Sequence, residues 1–310
     1  MKLLSLLLTL ALALTASAAP LETDLCIYGG TSAGVIAAVQ GSKMGKKVVL
    51  VEAGRHLGGM SVEGLGGTDI DNQPFQNSPA VGGLALEFYR RVSAVYGRTA
   101  AFETMLATRS KDTKLWRFEP QVAESVWEAW VKEAGITVLR GHRLKETNGV
   151  TKVGTRITAL HFENGAEVKA KMFIDATYEG DLLAFAGLSF AVGREGNTKY
   201  GESHNGIRTD TTHKQHDKPI DPFRTPGDPA SGLIFGVQDS PLGEHGAADD
   251  SIQGYCFRLC LTKDAKNRLP IEKPANYDAT HYETQRRYPA AGGLISPPHA
   301  AAPTAKTHPP

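Results

Sequence analysis

The pattern of apolar and polar positions near the start of the chain predicts a strand, a helix and a second strand in close succession. A short apolar strand ending at Tyr28 runs into a glycine-rich turn over residues 29–34. Small side chains then continue as a helix over 33–44, and the apolar run 48–51 follows as a second strand that ends on Glu52. This order indicates a βαβ unit with two parallel strands.

The turn between the first strand and the helix has the residues of a dinucleotide site. Gly29 permits the tight turn, and Gly34 lets the helix lie close to the strand. The start of the helix offers free N–H groups and a positive dipole end to a diphosphate. Thr31 replaces the middle glycine of the G-x-G-x-x-G pattern, so the match is imperfect. We expect the diphosphate against Gly29, Gly30, Thr31, Ser32, Ala33 and Gly34.

Glu52 and the residues after it extend this site. A carboxylate at the end of the second strand can accept both ribose hydroxyls of an adenosine. The chain continues as Glu52-Ala-Gly-Arg55-His-Leu-Gly58-Gly59-Met60. A nicotinamide enzyme has no need of a paired glycine at this place, whereas a loop of this kind is common in flavoproteins. The sequence therefore favours a flavin nucleotide.

Further along, helical spacing predicts two more helices and a third strand. The first helix is expected over 79–96, and the second begins at Pro120 and ends at Gly135. Residues 136–139 then return as a strand that would extend the parallel sheet. Apolar residues recur three or four positions apart in both helices: Leu84, Phe88, Val92 and Val95 in the first, and Val122, Val126 and Trp130 in the second.

A small β-meander is predicted next. The alternating segments 156–162 and 166–170 flank Asn164-Gly165, a strong signal for a hairpin turn. The chain is then expected to rejoin the parallel sheet through a separate strand, residues 171–175. These elements predict an α/β fold, a Rossmann-type domain with a parallel sheet and an inserted β-meander, over residues 23–189.

Residues 190–296 differ in composition and are predicted to be part of a loop-rich α+β substrate domain. Gly, Asp, Pro and His dominate up to about residue 250, and the core strand is expected at 252–261. Within the polar cluster 200–205, Glu202 and His204 are candidate acid/base residues. His213 and His216 lack further ligands at a suitable spacing, so we predict surface histidines and no metal site.

Five segments carry a resemblance to a known family. They are Tyr28-Gly-Gly-Thr-Ser-Ala-Gly-Val-Ile-Ala-Ala38, Leu57-Gly-Gly-Met60, Phe173-Ile-Asp-Ala-Thr-Tyr-Glu-Gly-Asp181, Thr225-Pro-Gly-Asp-Pro-Ala-Ser-Gly232 and Gly254-Tyr-Cys-Phe-Arg-Leu-Cys260. On these motifs the chain, from about residue 23 to about residue 297, resembles exported bacterial FAD-dependent oxidoreductases with a glutathione-reductase-like flavin fold. Some members of that group are labelled xanthan lyase, a chemistry that a dinucleotide fold does not support because such lyases need no flavin.

The resemblance implies a cofactor, a reaction and further site residues. FAD would be bound by residues 23–189, with its adenosine ribose on Glu52 and its flavin along Arg55, Gly58, Gly59 and Met60. The flavin would accept a hydride from a small organic substrate and pass the electrons to an acceptor that the sequence does not identify. Carbohydrate-derived compounds are the first substrate class to consider.

Other interpretations remain open. A nicotinamide-dependent dehydrogenase is disfavoured by Gly58-Gly59 and by the meander. Relatives of this kind usually close the flavin site with a later segment, and we find none here, so a truncated, non-catalytic remnant is the main alternative. Residues 297–310 show no periodicity and are predicted to be a disordered tail. A natural tail on a shorter protein is the other possibility.

The N-terminus predicts a cleavable secretory signal over residues 1–18. Lys2 precedes an apolar run over 3–14, and Ala16-Ser17-Ala18 offers a cleavage site. An uncleaved anchor is the alternative, although the run is shorter than the roughly 20 residues of a bilayer span. We therefore expect a secreted or periplasmic protein without stable membrane insertion after cleavage. The formal net charge of +1 argues against a nucleic-acid partner.

The cysteines do not predict a disulfide framework, since their number, 3, is odd. Cys26 lies in the first strand and is expected to be a small buried apolar residue. Cys256 and Cys260 lie in a segment that alternates like a strand. In a strand, residues four apart are separated by roughly 13 Å, too far for a disulfide.

Overall fold

The computed structural model describes residues 19–66, 81–110, 114–211, 216–254 and 258–294. The described residues form two compact units, one up to Ser189 and one from Phe190 onward. We call the described residues of the first range unit 1 and those of the second unit 2. The predicted signal and the predicted tail lie outside the described residues.

Unit 1 is built on one six-stranded sheet in the order β3-β2-β1-β6-β5-β4. β1 pairs in parallel with β2 and β6, and β2 pairs in parallel with β3. β5 is antiparallel to both of its neighbours. The predicted α/β class with a parallel sheet is confirmed. The strands are β1 Leu21–Tyr28, β2 Val48–Glu52, β3 Thr137–Arg140, β4 Val150–Val153, β5 Arg156–His161 and β6 Glu167–Asp175.

The predicted division between the meander and the last parallel strand is wrong. A single strand, β6, pairs with β5 through Glu167–Lys169 and with β1 through residues 168–175. The meander is therefore continuous with the main sheet and forms its antiparallel edge. β4 was not predicted, because its residues are largely exposed and show little apolar pattern.

The helices of unit 1 agree with the helical spacing where that spacing was clear. They are α1 Ser32–Lys43, α2 Gly83–Val95, α3 Thr99–Thr108, α4 Pro120–Glu133 and α5 Asp181–Phe185. The first, second and fourth of these confirm predicted helices, although α2 begins at Gly83 rather than at residue 79. α3 and α5 were not predicted, because each buries few side chains and shows no clear stripe.

The sheet of unit 1 has an apolar cluster on each face. β2 is apolar at four successive positions because alternate side chains enter opposite clusters. Val48 and Leu50 face the helical side, where Phe88 and Trp127 stack with ring centroids 4.1 Å apart. Val49 and Val51 face the other side, beside Cys26 and Phe162. Because both faces are covered, β1 lies in the interior of the sheet between β2 and β6. The glycine-rich turn follows β1 and therefore lies at the carboxyl ends of these strands.

Unit 2 is mostly irregular. Its helices are α6 Asn197–Tyr200 and α7 Glu283–Ala290, and in its described part only Ile207 and Ile234 are fully buried apolar side chains. Polar contacts hold the loops instead. The side chain of Arg287, in α7, donates to the carbonyl oxygens of Asp221, Phe223 and Arg224 at 2.7–3.0 Å.

The core strand predicted at 252–261 is wrong for the described part of that segment. Residues 251–254 and 258–261 have no regular structure, and Ile252, Leu259 and Leu261 are exposed. Apolar alternation over a short loop imitated a strand. Strand geometry therefore does not set the distance between Cys256 and Cys260, and Cys256 lies outside the described residues. No helix in the described parts of the chain is both long enough and apolar enough to span a bilayer.

The two described cysteines should differ sharply in reactivity. Cys26 is fully buried in β1, as predicted, and burial raises the pKa of its thiol to about 12, whereas Cys260 is exposed. At pH 8 a thiol with that pKa is about one part in ten thousand thiolate. We expect iodoacetamide to label Cys260 and to leave Cys26 unlabelled, as read by peptide mass spectrometry. Equal labelling of both in the folded chain would contradict this, and unfolding in urea should make Cys26 reactive.

Candidate functional site

The glycine-rich turn lies at the carboxyl end of β1, between β2 and β6. Gly29 has a φ of +107°, a conformation that favours glycine, and its N–H donates to the carbonyl oxygen of Val51 at 2.8 Å. A Cβ on Gly29 would lie 2.7 Å from the backbone of Ala176 and Thr177, which follow β6. The turn is therefore enclosed by the ends of both neighbouring strands.

Gly34 allows α1 to lie against this turn. A Cβ at this position would overlap the carbonyl oxygen of Gly29. Thr31 is the N-cap of α1: its hydroxyl accepts a hydrogen bond from the Gly34 N–H at 3.2 Å and donates one to the Ala176 carbonyl at 2.8 Å. Thr31 thus ties the turn to the end of β6, which explains its presence where the fingerprint has glycine.

The first turn of α1 presents N–H groups that no residue of the helix accepts. The first intrahelical bond joins the Val35 N–H to the Thr31 carbonyl at 2.9 Å. The N–H groups of Ser32 and Ala33 precede that bond, so they have no acceptor within the helix. Together with the positive dipole end of the helix, these groups favour an anion at the glycine-rich turn.

Glu52 is held at the end of β2 by two backbone donors. One of its carboxylate oxygens accepts the Gly30 N–H at 2.6 Å, and the other accepts the Gly54 N–H at 2.5 Å. Each carboxylate oxygen can accept a second hydrogen bond. The carboxylate is therefore fixed in place beside Gly30 and can still accept two hydroxyl groups.

The loop after Glu52 returns to the turn at Gly58. The Gly58 N–H donates to the Gly30 carbonyl at 2.7 Å, and Gly58 itself is buried with a φ of +115°. A Cβ there would overlap the indole of Trp127. That indole donates to the Ser61 hydroxyl at 2.9 Å, and Ser61 donates to the Gly58 carbonyl at 2.7 Å. Trp127 of α4 therefore packs against Gly58 and holds the loop through Ser61.

Arg55 and Met60 lie on the exposed part of this loop. Arg55 is exposed and makes no hydrogen bond or ion pair to any residue that the structure describes. The Met60 side chain is 46% exposed, and its backbone N–H donates to the Tyr178 hydroxyl at 2.8 Å. The structure thus brings the predicted residues 29–34, 52 and 58–60 together, while the Arg55 side chain has no hydrogen-bonding or ion-pair partner among the described residues.

Asp175 and Tyr178, at and just after the end of β6, make contacts with other parts of unit 1. Asp175 accepts the Thr177 N–H at 2.9 Å and, through its other oxygen, the Leu183 N–H of α5 at 2.9 Å. Asp175 therefore has a structural role, linking the end of β6 to the first turn of α5. The contact of Tyr178 with the Gly59–Met60 peptide was missed, because residues so distant in sequence carry no local signal of proximity.

The predicted acid/base candidates lie in unit 2 and are exposed. Glu202 accepts a hydrogen bond from the Asn205 amide, and His204 Nδ1 accepts one from Arg208 at 2.9 Å. His213 lies outside the described residues, and the His216 ring stacks on Tyr288 with centroids 4.5 Å apart. Among the residues that the structure describes, no three His, Cys, Asp or Glu side chains are grouped as metal ligands.

Unit 2 contains a cavity of about 780 Å³ whose lining mixes charged, polar and small apolar residues. The residues around it include Arg194, Asn197, Lys199, His245 and Asp249. Arg194 and Asp249 form an ion pair on its wall, and the hydrogen bond from Arg194 lowers the pKa of the Asp249 carboxyl. The volume suits a small molecule, and the lining suits one with several hydroxyl or charged groups.

A family model described as FAD dependent oxidoreductase matches residues 24–308. Comparison with curated proteins gives no match. Among solved structures, L-proline dehydrogenase from P. horikoshii is 15% identical with a TM-score of 0.41, and the match covers 57% of this chain and 59% of that one. An L-amino acid deaminase from Proteus vulgaris is 17% identical with a TM-score of 0.40, over 56% of this chain and 58% of that one.

Substitution of Gly34 by alanine should disrupt the turn. The added Cβ overlaps the Gly29 carbonyl, so α1 must move away from β1, and we expect a loss of about 3 kcal/mol, at the upper end for overpacking. Urea unfolding followed by circular dichroism measures the loss. Gly82→Ala is the matched control, since a Cβ at Gly82 meets no atom within 4 Å. An equal, small effect of both substitutions would contradict the steric account.

Proposed function

This chain belongs to the FAD-dependent oxidoreductase family, with FAD as its cofactor, and from that premise we propose that it transfers a hydride from a small organic substrate to FAD. The observation that supports this most directly is the arrangement at the glycine-rich turn. A fixed carboxylate, a tight glycine-rich turn and the first N–H groups of α1 lie side by side there.

The residues at this turn fit FAD. A Cβ on Gly29, Gly30 or Gly34 would clash with neighbouring protein atoms, so these glycines let the end of β6, the Glu52 carboxylate and the start of α1 lie close together around the turn. The N–H groups of Ser32 and Ala33 suit a diphosphate, and Glu52 has spare acceptor capacity for two ribose hydroxyls. The donor and acceptor set therefore matches an adenosine diphosphate moiety, which FAD contains.

The bound flavin supplies the hydride-accepting ring, and the protein must bind and orient it. In our proposal Glu52 fixes the adenosine end, and the first turn of α1 neutralises the diphosphate. The Gly58–Met60 loop, supported by Trp127 through Ser61, borders the rest of the cofactor. Fixing the two ends of a long cofactor removes much of the orientational freedom that hydride transfer would otherwise have to overcome.

We propose that unit 2 binds the substrate, with carbohydrate-derived compounds as the first class to test. Its cavity supports this, because hydroxyl-rich molecules require hydrogen-bonding partners and the lining offers several, among them Asn197 and Lys199. Glu202 and His204 remain proposed acid/base residues, and Arg208 would orient the His204 ring through Nδ1. Electrons would leave for an acceptor of unidentified chemistry. Export through the signal at residues 1–18 is also part of the proposal.

Loss of the Glu52 charge should weaken binding of FAD. In Glu52→Gln an amide nitrogen replaces one carboxylate oxygen, so one acceptor for Gly30, Gly54 and the ribose is lost. We expect at least a tenfold increase in the Kd for FAD, from titration followed by flavin fluorescence. Glu22→Gln is the matched control, because Glu22 is an exposed residue of β1. If the wild-type chain is folded but does not bind FAD, the proposed function is wrong.

Reduction of the bound flavin separates an enzyme from a protein that only binds the nucleotide. We expect anaerobic addition of a substrate from a carbohydrate-derived panel to bleach the flavin absorbance near 450 nm, a region characteristic of oxidised flavin. Dithionite serves as the control for complete reduction. If FAD binds stoichiometrically and dithionite bleaches it while every compound of the panel fails, the substrate class must be revised. If amino acids reduce the bound flavin instead, the substrate class is amino acids.

A further inference from the structure

Tyr178 bridges the two chain segments that border the glycine-rich turn. Ala176 and Thr177 enclose Gly29 on the side of β6. Gly58 borders the turn on the side of β2, through its N–H to the Gly30 carbonyl. Tyr178 belongs to the first segment, and its hydroxyl lies 2.8 Å from the Met60 nitrogen of the second. The phenol therefore connects the segments beside the proposed diphosphate position.

The bridge lies toward the flavin end of the proposed cofactor path. Glu52 binds the Gly30 N–H, which places the adenosine end at Gly30. Gly58 pairs with Thr31, one residue further along the turn. Gly59 and Met60 come next in the loop, and both lie against Tyr178. The order from Glu52 through Thr31 to Tyr178 therefore runs from the adenosine end, past the diphosphate, to the other half of FAD.

The Tyr178 hydroxyl keeps an unused donor. Its oxygen accepts the Met60 N–H, and no residue that the structure describes accepts its own hydrogen. Burial, with nearby carboxylates of Glu63 and Glu179, raises the pKa of the phenol, so the hydrogen is retained at neutral pH. The side chain is 52% exposed and therefore within reach of a ligand.

We propose that Tyr178 is a cofactor-binding residue for the flavin half of FAD. Its oxygen fixes the Met60 peptide, and its O–H donates to an oxygen of the ribityl-flavin part. The contact with the loop leaves no room for a side chain at Gly59, where a Cβ would overlap the Tyr178 hydroxyl. This inference rests on the proposed cofactor site, and it adds a residue from beyond the glycine-rich turn and its loop.

The test compares FAD with ADP, which carries the adenosine diphosphate but no flavin half. Tyr178→Phe keeps the ring and removes only the hydroxyl. In the full chain we expect the Kd for FAD to rise about fivefold to tenfold, the loss of one or two hydrogen bonds, while the Kd for ADP changes less than twofold. Isothermal titration measures both affinities without any need for activity. Glu52→Gln should weaken FAD and ADP together.

A merely structural role for Tyr178 would give a different result. Equal weakening of FAD and ADP in Tyr178→Phe, or no change in either, would overturn the proposal. Tyr277→Phe is the control, since Tyr277 is a partly exposed tyrosine that stacks on Tyr282. Gly59→Ala, which displaces the phenol by overlap, should show the same selective loss of FAD. Failure of the wild-type chain to bind FAD would instead overturn the cofactor site itself.

Discussion

The close contact between α1 and the end of β1 is the constraint on which the site depends. Gly34 touches the Gly29 carbonyl where no Cβ fits, and Thr31 ties the same turn to Ala176 after β6. The helix can point its first N–H groups over the carboxyl edge of the sheet only because both glycines lack a side chain. A parallel sheet covered on both faces keeps that edge in place.

Glu52 shows how one side chain can serve structure and binding at once. Its two oxygens accept the N–H groups of Gly30 and Gly54, so the carboxylate links the turn to the start of the next loop. In this position it is oriented before any ligand arrives, which lowers the entropy cost of binding. The same loop then returns through Gly58, so the two borders of the site are both anchored by backbone hydrogen bonds.

The sequence predicted unit 1 better than unit 2 for a physical reason. α4 buries a stripe of apolar residues that includes Val122, Val126 and Trp130, and β2 buries the continuous apolar run 48–51. Both patterns are visible in the sequence and predict the element. Unit 2 buries few apolar side chains and depends on contacts such as those of Arg287 with three carbonyl groups. Such contacts produce no periodic pattern in the sequence. The apolar alternation at 252–261 was the clearest pattern in this region, and it wrongly predicted a strand.

The sequence by itself determined the βαβ unit, the glycine-rich turn and the carboxylate at the end of β2, because these features depend on neighbours within one short segment. Only the tertiary structure decided that β6 is a single strand shared by the meander and the parallel sheet. It also decided that Trp127 supports the loop at Gly58 and that Tyr178 contacts Met60. Those contacts join residues far apart in the chain, and the packing of the sheet and its helices brings them together.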